Sequence, residues 1–467
     1  MVFSEIPFLF QFLPLFLILY YIVPFSFKNT LLLLFSLLFY AWGEPSYIIL
    51  MILCVAANYA LALLMERSKR YRKAYLVLSI IVNLLPMIVF KYSNLLISTA
   101  NAALGTELSL LPLALPIGIS FYTFQTMSYV IDVYRGDVRA QKNYFTLLTY
   151  ICMFPQLIAG PIVRYETIAN EMSVRKIDLD GFCNGMIRFL HGIFKKVILA
   201  NSVAVAFYEI SASNIKEQSA LTLWLGIIAY YFLIYFDFSG YSDMAIGMGK
   251  MLGFNFLENF NYPMTAISVT DFWRRWHMSL TTWFKDYVYI PLGGSRCKTS
   301  RKIMNILIVW LLTGIWHGAS WNFLFWGLYF GVILLLEKMV FAKILAKAPK
   351  FIRFLITAFI VTIGWAIFSL EDFSLMFTYI AGMFNLSNLA DTTFLYYLVP
   401  YLPLFVICGI CATPVYHKIG GYVTSLKSKT AVVMCNIAAI AFYIAMFMLS
   451  WSLIASDSYS PFLYFKF

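Results

Sequence analysis

The sequence predicts an all-α membrane protein whose chain crosses the bilayer many times. Of its 467 residues, 62% are hydrophobic and only 12% are charged, and the mean hydropathy is +0.80. A soluble domain of this length would need far more charge to cover its surface. Apolar stretches close to the roughly 20 residues that cross a bilayer recur along the whole chain. Basic residues collect in short segments between them, as is typical of the cytoplasmic loops of membrane proteins.

The apolar stretches define the expected spans. The first, `FLFQFLPLFLILYYIV`, follows an N-terminus without a basic region and precedes no small-residue cleavage site, so we interpret it as an uncleaved span. No repeat, linker or low-complexity segment divides the chain, and we expect a single membrane-embedded domain, 1–467. The predicted spans are 6–25, 30–43, 46–65, 74–90, 109–134, 197–212, 219–240, 303–317, 319–337, 353–370, 393–412 and 430–455.

One apolar segment is too broken to be a simple span. `FPQLIAGPI`, residues 154–162, contains two prolines and a glycine, which interrupt a helix. Irregular backbone cannot face lipid, because its polar groups would lack partners there. We therefore predict a re-entrant turn packed against protein.

The basic segments set the expected orientation. Residues 67–73, 296–302, 338–350 and 427–429 should be cytoplasmic, with both chain ends outside. The net charge of +12 mainly reflects this bias, although it would also attract an acidic cytoplasmic donor. The basic clusters are short and lie between spans, so nothing indicates nucleic-acid binding.

Residues 271–294, `DFWRRWHMSLTTWFKDYVYIPLGG`, combine charge with many aromatic rings. On one helix, Arg274, His277 and Thr281 would share a face, and Asp271 would pair with Arg274 or Arg275. The opposite stripe is apolar. The segment is either an interfacial amphipathic helix or a helix that lines a water-filled entrance. The apolar stripe consists of Phe272, Trp276, Leu280 and Trp283.

Carboxylates and a histidine occur inside apolar runs. Asp237 and Asp243 lie in `YFDFSGYSDMAIGMGKMLGF`, where a carboxylate must be paired or hydrated. His317 lies in `TGIWHGASW`, between two nearly uncharged stretches. It is either a hydrogen-bonded structural residue or a neutral general base for deprotonating a hydroxyl. The adjacent Gly314 and Gly318 permit close approach of either a substrate or another helix.

Several other chemistries are not predicted. The four histidines lack the spacing of metal ligands on one helix face, so we expect no metal site. Of the seven cysteines, Cys408 and Cys411 are three apart on one apolar helix, a spacing that suits packing better than a disulfide, and no GxSxG motif supplies a serine nucleophile.

Together, `FSGYSDMAIGMGKMLGF`, `NYPMTAISVTDFWRRWHMSLTTWFKDYVYIPLGG`, `LLTGIWHGASWNFLFWGLYFG` and the tail `SPFLYFKF` resemble the membrane-bound O-acyltransferase superfamily. The resemblance is strongest over 235–330 and is closest to the branch that acetylates alginate and peptidoglycan. It implies a ring of about 10–12 transmembrane helices with re-entrant segments around a central tunnel. It also implies that His317 is the catalytic base and that His277 is a second catalytic position toward the cytoplasmic mouth.

The same resemblance implies the substrates and surroundings of the enzyme. The donor would be a cytoplasmic thioester, either acetyl-CoA or an acyl-phosphopantetheine carrier, and no cofactor would be bound. The acceptor would be an extracytoplasmic polysaccharide, reached with an SGNH-type, esterase-like partner protein, at the bacterial cytoplasmic membrane. Candidate donor-binding residues are Trp273, Arg274, Arg275 and Arg164.

Two alternatives remain open from the sequence. The same scaffold would serve D-alanyl transfer to teichoic acid from a phosphopantetheine carrier. A transporter or flippase with a polar interior is a different class, which the lack of repeated halves disfavours.

Overall fold

A computed structural model describes residues 2–158, 160–425, 428–456 and 462–463. In this part of the chain the regular structure is helical, with no β-strand. Eight helices are long and apolar enough to cross a membrane, which confirms a multi-pass, all-α membrane protein. They are Phe25–Gly43, Tyr47–Arg67, Arg72–Leu104, Leu179–Ala212, Ala220–Met251, Lys350–Ser369, Thr392–Cys411 and Thr430–Ser456.

The N-terminal part consists of five helices and two π-helical turns. One π turn, Phe8–Phe12, precedes the first helix. The other, Ile88–Tyr92, follows Pro86 and joins two helices into one long span. A proline inside a helix removes one backbone hydrogen bond, and a π turn is a common local adjustment at such a position. The helices are α1 (Leu13–Ile22), α2 (Phe25–Gly43), α3 (Tyr47–Arg67), α4 (Arg72–Met87) and α5 (Ser93–Leu104).

Residues 105–173 contain one predicted span, 109–134, that needs correction and the broken segment 154–162, which is buried at its described start. The expected span 109–134 was wrong at its start, because residues 105–116 form no helix and are mostly exposed. Pro112, Pro116 and Gly118 interrupt the helix there. Residues 147–158 are all buried against protein, as predicted for the broken segment; Ala159 lies outside the described residues. The helices are α6 (Ile119–Arg135), α7 (Tyr144–Cys152), α8 (Phe154–Leu157) and α9 (Tyr165–Ser173).

The core of the protein is the long helix α12 (Ala220–Met251), most of whose side chains are buried. It packs antiparallel against α10 (Leu179–Ile193), with the backbones in close contact. A Cβ atom built on Gly192 would lie 2.4 Å from the carbonyl oxygen of Gly240, and one on Gly185 would lie 2.6 Å from that of Gly247. No other residue allows this approach. A π turn, Phe194–Ala200, continues α10 into α11 (Asn201–Ala212), so the expected span 197–212 starts too late.

The carboxylates of α12 are paired, which is one of the two alternatives predicted for them. Lys196 and Asp237 form an ion pair of 2.5 Å in which both side chains are buried. Asp243 pairs with Arg188 and with Lys195, each at 2.7 Å. The tail `SPFLYFKF` lies outside the described residues except at 462–463, where the main-chain N–H of residue 463 donates to Asp237 Oδ2 at 2.8 Å.

The remaining helices follow the aromatic segment. A 3₁₀ turn, Pro263–Thr265, precedes two short helices, α13 (Val269–Arg275) and α14 (Met278–Phe284), and a π turn, Lys285–Tyr289. Helices α15 (Thr299–His317) and α16 (Trp321–Leu336) form a hairpin, and a π turn, Glu337–Phe341, follows. The last helices are α17 (Ala342–Leu345), α18 (Lys350–Ser369), α19 (Phe373–Met383), α20 (Thr392–Cys411), α21 (Val415–Ser425) and α22 (Lys429–Ser456). Lys427, in one of the expected cytoplasmic loops, lies outside the described residues.

Candidate active site

His317 is the last residue of α15, at the bend of the α15–α16 hairpin. The chain becomes fully extended at Gly318, which ends the helix. A Cβ atom on Gly314 would lie 2.3 Å from the carbonyl oxygen of Phe323, and one on Gly318 would lie 2.1 Å from the Phe323 ring. Of the two roles predicted for these glycines, the structure therefore shows close helix packing.

The imidazole of His317 is enclosed by aromatic rings on several sides. Trp326 and Phe368 present their edges or faces to it at centroid distances of 5.0 and 5.3 Å. The side chain is buried, at 5% exposure. It nevertheless borders a small cavity of about 40 Å³, together with Lys91, Ser120 and other residues. A cavity of this size is large enough for a few water molecules beside His317.

His277 lies in a break between α13 and α14. The predicted single helix over this segment was wrong, because His277 has the left-handed conformation φ 45°, ψ 54°. Arg274, His277 and Thr281 therefore do not share one helical face. The apolar stripe is still buried, and the predicted pair of Asp271 with Arg275 forms at 2.9 Å.

Asn259 holds the His277 turn in place. Its main-chain carbonyl accepts from the N–H of Met278 at 2.9 Å. Its side-chain Oδ1 accepts from Ser279 N and Oγ, at 3.2 and 2.9 Å, and lies 3.1 Å from Nδ1 of His277. When Nδ1 donates to this oxygen, the lone pair of the neutral ring is on Nε2. Residues 269–290 lie outside the eight spanning helices, and burial lowers the pKa of His277 to about 3, which keeps its ring neutral.

No local pattern predicted Asn259, because its side chain contacts residues 18 and 20 positions later in the chain. An asparagine in a loop is ordinarily explained by a turn.

The structure brings the two predicted histidines together. The ring of Trp316 lies 5.0 Å from that of His317 and 5.9 Å from that of His277. Phe238, from α12, packs edge-on against His277 at 4.7 Å. The two imidazoles thus approach one indole from the hairpin and from the α13–α14 break, although forty residues separate them in the chain.

The residues predicted to bind the donor lie in different places. Trp273 is buried in an aromatic cluster with Trp310 and Phe330, at 4.8 and 4.9 Å. Arg274 is exposed, whereas Arg275 is engaged by the ion pair with Asp271. The structure does not gather these three residues around the histidines.

Arg164 lines a second, larger pocket of about 650 Å³. Its guanidinium pairs with Asp286 at 2.6 Å and lies 5.0 Å from the ring centre of Tyr287. Arg135 lies against the same ring at 5.1 Å, and the Tyr287 hydroxyl donates to the carboxylate of Asp132 at 2.8 Å. The pocket therefore holds charges of both signs among apolar side chains. We call it the Arg164 pocket.

A chain of aromatic contacts connects the Arg164 pocket to His317. Tyr287 lies 5.2 Å from Trp283, which stacks on Phe124 at 3.8 Å with an angle of 8° between the rings. Phe124 in turn lies 5.6 Å from Trp316, beside His317. The two pockets have no lining residue in common, and the stacked pair lies on the path of contacts between them.

Comparison with known proteins assigns the chain to a protein family. The model of the membrane-bound O-acyltransferase family (MBOAT) matches residues 34–381, well over half of the chain. The chain belongs to the membrane-bound O-acyltransferase family. The resemblance read from the sequence motifs is thereby confirmed, and the transporter alternative is not supported. As a member of this family, the protein is an O-acyltransferase embedded in a membrane.

Individual relatives of this MBOAT chain are similar over most of their length. It is 41% identical over 396 residues to the probable alginate O-acetylase AlgI of Azotobacter vinelandii, covering 83% of this chain and 79% of the relative. It is 37% identical to the protein of the same name from Pseudomonas putida, over the full length of both chains. It is 32% identical to the peptidoglycan O-acetyltransferase of Helicobacter pylori, covering 82% of this chain and 80% of the relative.

Proposed function

We propose that this protein transfers an acetyl group from a cytoplasmic thioester, acetyl-CoA, toward a hydroxyl group of an extracytoplasmic polysaccharide. The observation that carries the proposal is the placement of His317 and His277 against one indole, with His317 bordering a cavity. The names of the similar proteins support acetyl as the acyl group and a polysaccharide as the acceptor. The bacterial cytoplasmic membrane is the location that such a reaction requires.

His317 acts as the general base in this proposal. Its imidazole takes the proton from the attacking hydroxyl while the oxygen bonds to the thioester carbonyl carbon. The carbon–sulfur bond then breaks, and His317 gives this proton to the departing sulfur, which leaves as a free thiol. General-base catalysis of this kind contributes roughly 10²–10⁴-fold to the rate.

His277 is the second catalytic residue of the proposal. With Nδ1 directed at Asn259, its Nε2 lone pair accepts a hydrogen bond from a reacting hydroxyl or from the amide of the donor arm. Because this ring stays neutral, it orients these groups without adding a charge.

The Arg164 pocket is the proposed entrance for the donor. Arg164 and Arg135 supply positive charge for the phosphates of CoA, and the flexible thiol arm would pass the stacked Trp283 and Phe124 to reach His317. This passage requires the two rings to separate. The exposed Arg274 would contribute long-range attraction for the acidic donor.

The product side involves a partner in this proposal. An esterase-like, SGNH-type protein outside the membrane receives the acyl group or presents the polymer. D-alanyl transfer from a phosphopantetheine carrier is the competing assignment, and the assay below distinguishes the two.

The test compares wild type with His317→Ala, expressed in the native bacterium at equal membrane level. Extracytoplasmic polymers are isolated, and base-released acetate and D-alanine are measured in the same hydrolysate. We expect the amount of acetate released from the H317A polymers to be at least about 100-fold lower than from wild type, because the general base is removed. His191→Gln is the matched control, since His191 lies on α10 with its ring nitrogen bonded to Tyr443.

Membrane vesicles supplied with [¹⁴C]acetyl-CoA complete the test. Release of free thiol and base-labile label in polymer should both depend on His317. Near-normal acetylation by H317A would remove the catalytic assignment. If H317A instead lost D-alanine while its acetate stayed unchanged, the protein would be assigned as a D-alanyl transferase and not as an acetyltransferase.

A further inference from the structure

The end of α15 is held from outside its own helix. A helix leaves its last carbonyl groups without intrahelical partners. Here the π turn Ile88–Tyr92, between α4 and α5, supplies hydrogen-bond donors for these carbonyl groups. The hydroxyl of Tyr92 donates to the carbonyl of Ile315. The ammonium of Lys91 donates to the carbonyl of Trp316 at 2.6 Å and to that of His317 at 3.2 Å.

Lys91 is unusual in its surroundings. Its side chain is buried, with 7% exposure, on the apolar span Arg72–Leu104. A buried ammonium is costly unless its donors are satisfied. Among the described residues, no carboxylate lies within the 4.0 Å of an ion pair with it. The carbonyl end of α15, where the helix dipole is negative, takes the place of a counter-ion.

We infer that Lys91 is a positioning residue for His317, a role that rests on the proposed function of that histidine. The chain leaves the helix at Gly318, so the peptide groups around His317 depend on external hydrogen bonds for their placement. Lys91 binds two of them and also borders the cavity beside the imidazole. It fixes the backbone of His317, and through it the ring, relative to that cavity.

This role predicts a specific kinetic signature. A displaced general base lowers the rate of the chemical step but leaves donor binding unchanged. A misplacement of about 1 Å costs on the order of 10²-fold in rate. A residue that only supported folding would instead reduce the amount of active protein.

The experiment measures kcat and KM for acetyl-CoA in membrane vesicles containing equal amounts of full-length protein. For Lys91→Met we expect kcat to fall by about 100-fold, with KM within about threefold of wild type. Lys91→Arg keeps a cationic donor and should recover kcat to within about tenfold of wild type. A wild-type kcat in K91M, or a loss that appears only in KM, would overturn the inference.

Lys28 provides a matched control. It is also a buried lysine, at 8% exposure, and it donates to the carbonyl of Tyr20 near the end of α1, away from the histidines. Lys28→Met should reduce thermal stability and leave kcat within about threefold of wild type. If K28M lowers kcat as much as K91M does, the effect is general destabilisation and the inference fails.

Two further variants keep the result interpretable. If K91M does not accumulate in the membrane, Tyr92→Phe removes one bond from the same helix end. A severalfold lower kcat at unchanged KM supports the inference, and an unchanged kcat contradicts it. His317→Ala is measured in parallel. An active H317A would refute the proposed function itself, whereas an inactive H317A beside a fully active K91M would refute only the role of Lys91.

Discussion

The backbone of His277 permits a test that separates conformation from chemistry. A residue with a Cβ atom is disfavoured in the left-handed conformation by roughly 1–2 kcal/mol, whereas glycine adopts it readily. His277→Gly and His277→Ala both remove the imidazole and its contact with Asn259. They differ only in the Cβ atom. We therefore expect H277G to be more stable than H277A by about 1 kcal/mol, the reverse of the usual order in a helix.

The assay is equilibrium unfolding of the purified variants in mixed micelles, followed by tryptophan fluorescence. Met278, the next residue, is helical and supplies the control pair. There the alanine variant should be more stable than the glycine variant, by up to about 1 kcal/mol. If H277A proves as stable as H277G, the strain attributed to this turn does not exist.

Three further predictions concern other parts of the molecule. Asn259→Ala should lower kcat at least about tenfold at near-wild-type protein level, because the hydrogen bond that sets the His277 tautomer is lost; an unchanged kcat would show that Nδ1 needs no such partner. Gly192→Ala should destabilise the protein by about 1–3 kcal/mol in thermal or denaturant unfolding, since its Cβ would meet backbone, whereas Gly409→Ala, with open space around it, should be neutral or slightly stabilising. Arg164→Gln should raise the KM for acetyl-CoA severalfold with little change in kcat; equal KM values would place the donor elsewhere.

Much of the fold could be read from apolar length alone. The expected spans 46–65, 353–370 and 393–412 agree with helices Tyr47–Arg67, Lys350–Ser369 and Thr392–Cys411 to within a few residues. These helices carry few charges, so hydropathy defines them well. Two expectations stay predictions: that residues 154–162 form a re-entrant turn in the membrane, and that the basic loops lie on the cytoplasmic side.

The errors occurred where charge or local backbone chemistry overrides the apolar pattern. The span Leu179–Ala212 contains Arg188, Lys195 and Lys196, and hydropathy therefore placed its start too late. The structure neutralises these cations with carboxylates on α12, more than forty residues away in the sequence. A pairing over such a distance leaves no local signal.

The two histidines of the candidate site could be predicted from the sequence, but the residues that hold them in position could not. Both histidines could be named from the motifs, and the structure places them on one indole. The helix break at His277 was missed, because a histidine between apolar helical residues carries no turn signal. Asn259 and Lys91 were missed for the same reason, since each acts through contacts with distant backbone.

The buried charges explain how so apolar a chain sustains a polar centre. Asp237 is matched by Lys196 and by the main-chain N–H of residue 463, which give this buried carboxylate a counter-ion and a hydrogen-bond donor. Lys91 is matched by the carbonyl groups of Trp316 and His317 and by the hydroxyl of Ser120, all of them uncharged. A carboxylate beside Lys91 would form an ion pair and draw the ammonium away from the helix end. Because the carbonyls of α15 are its partners instead, the cation that stabilises this buried helix end also fixes the residue proposed to act as the base.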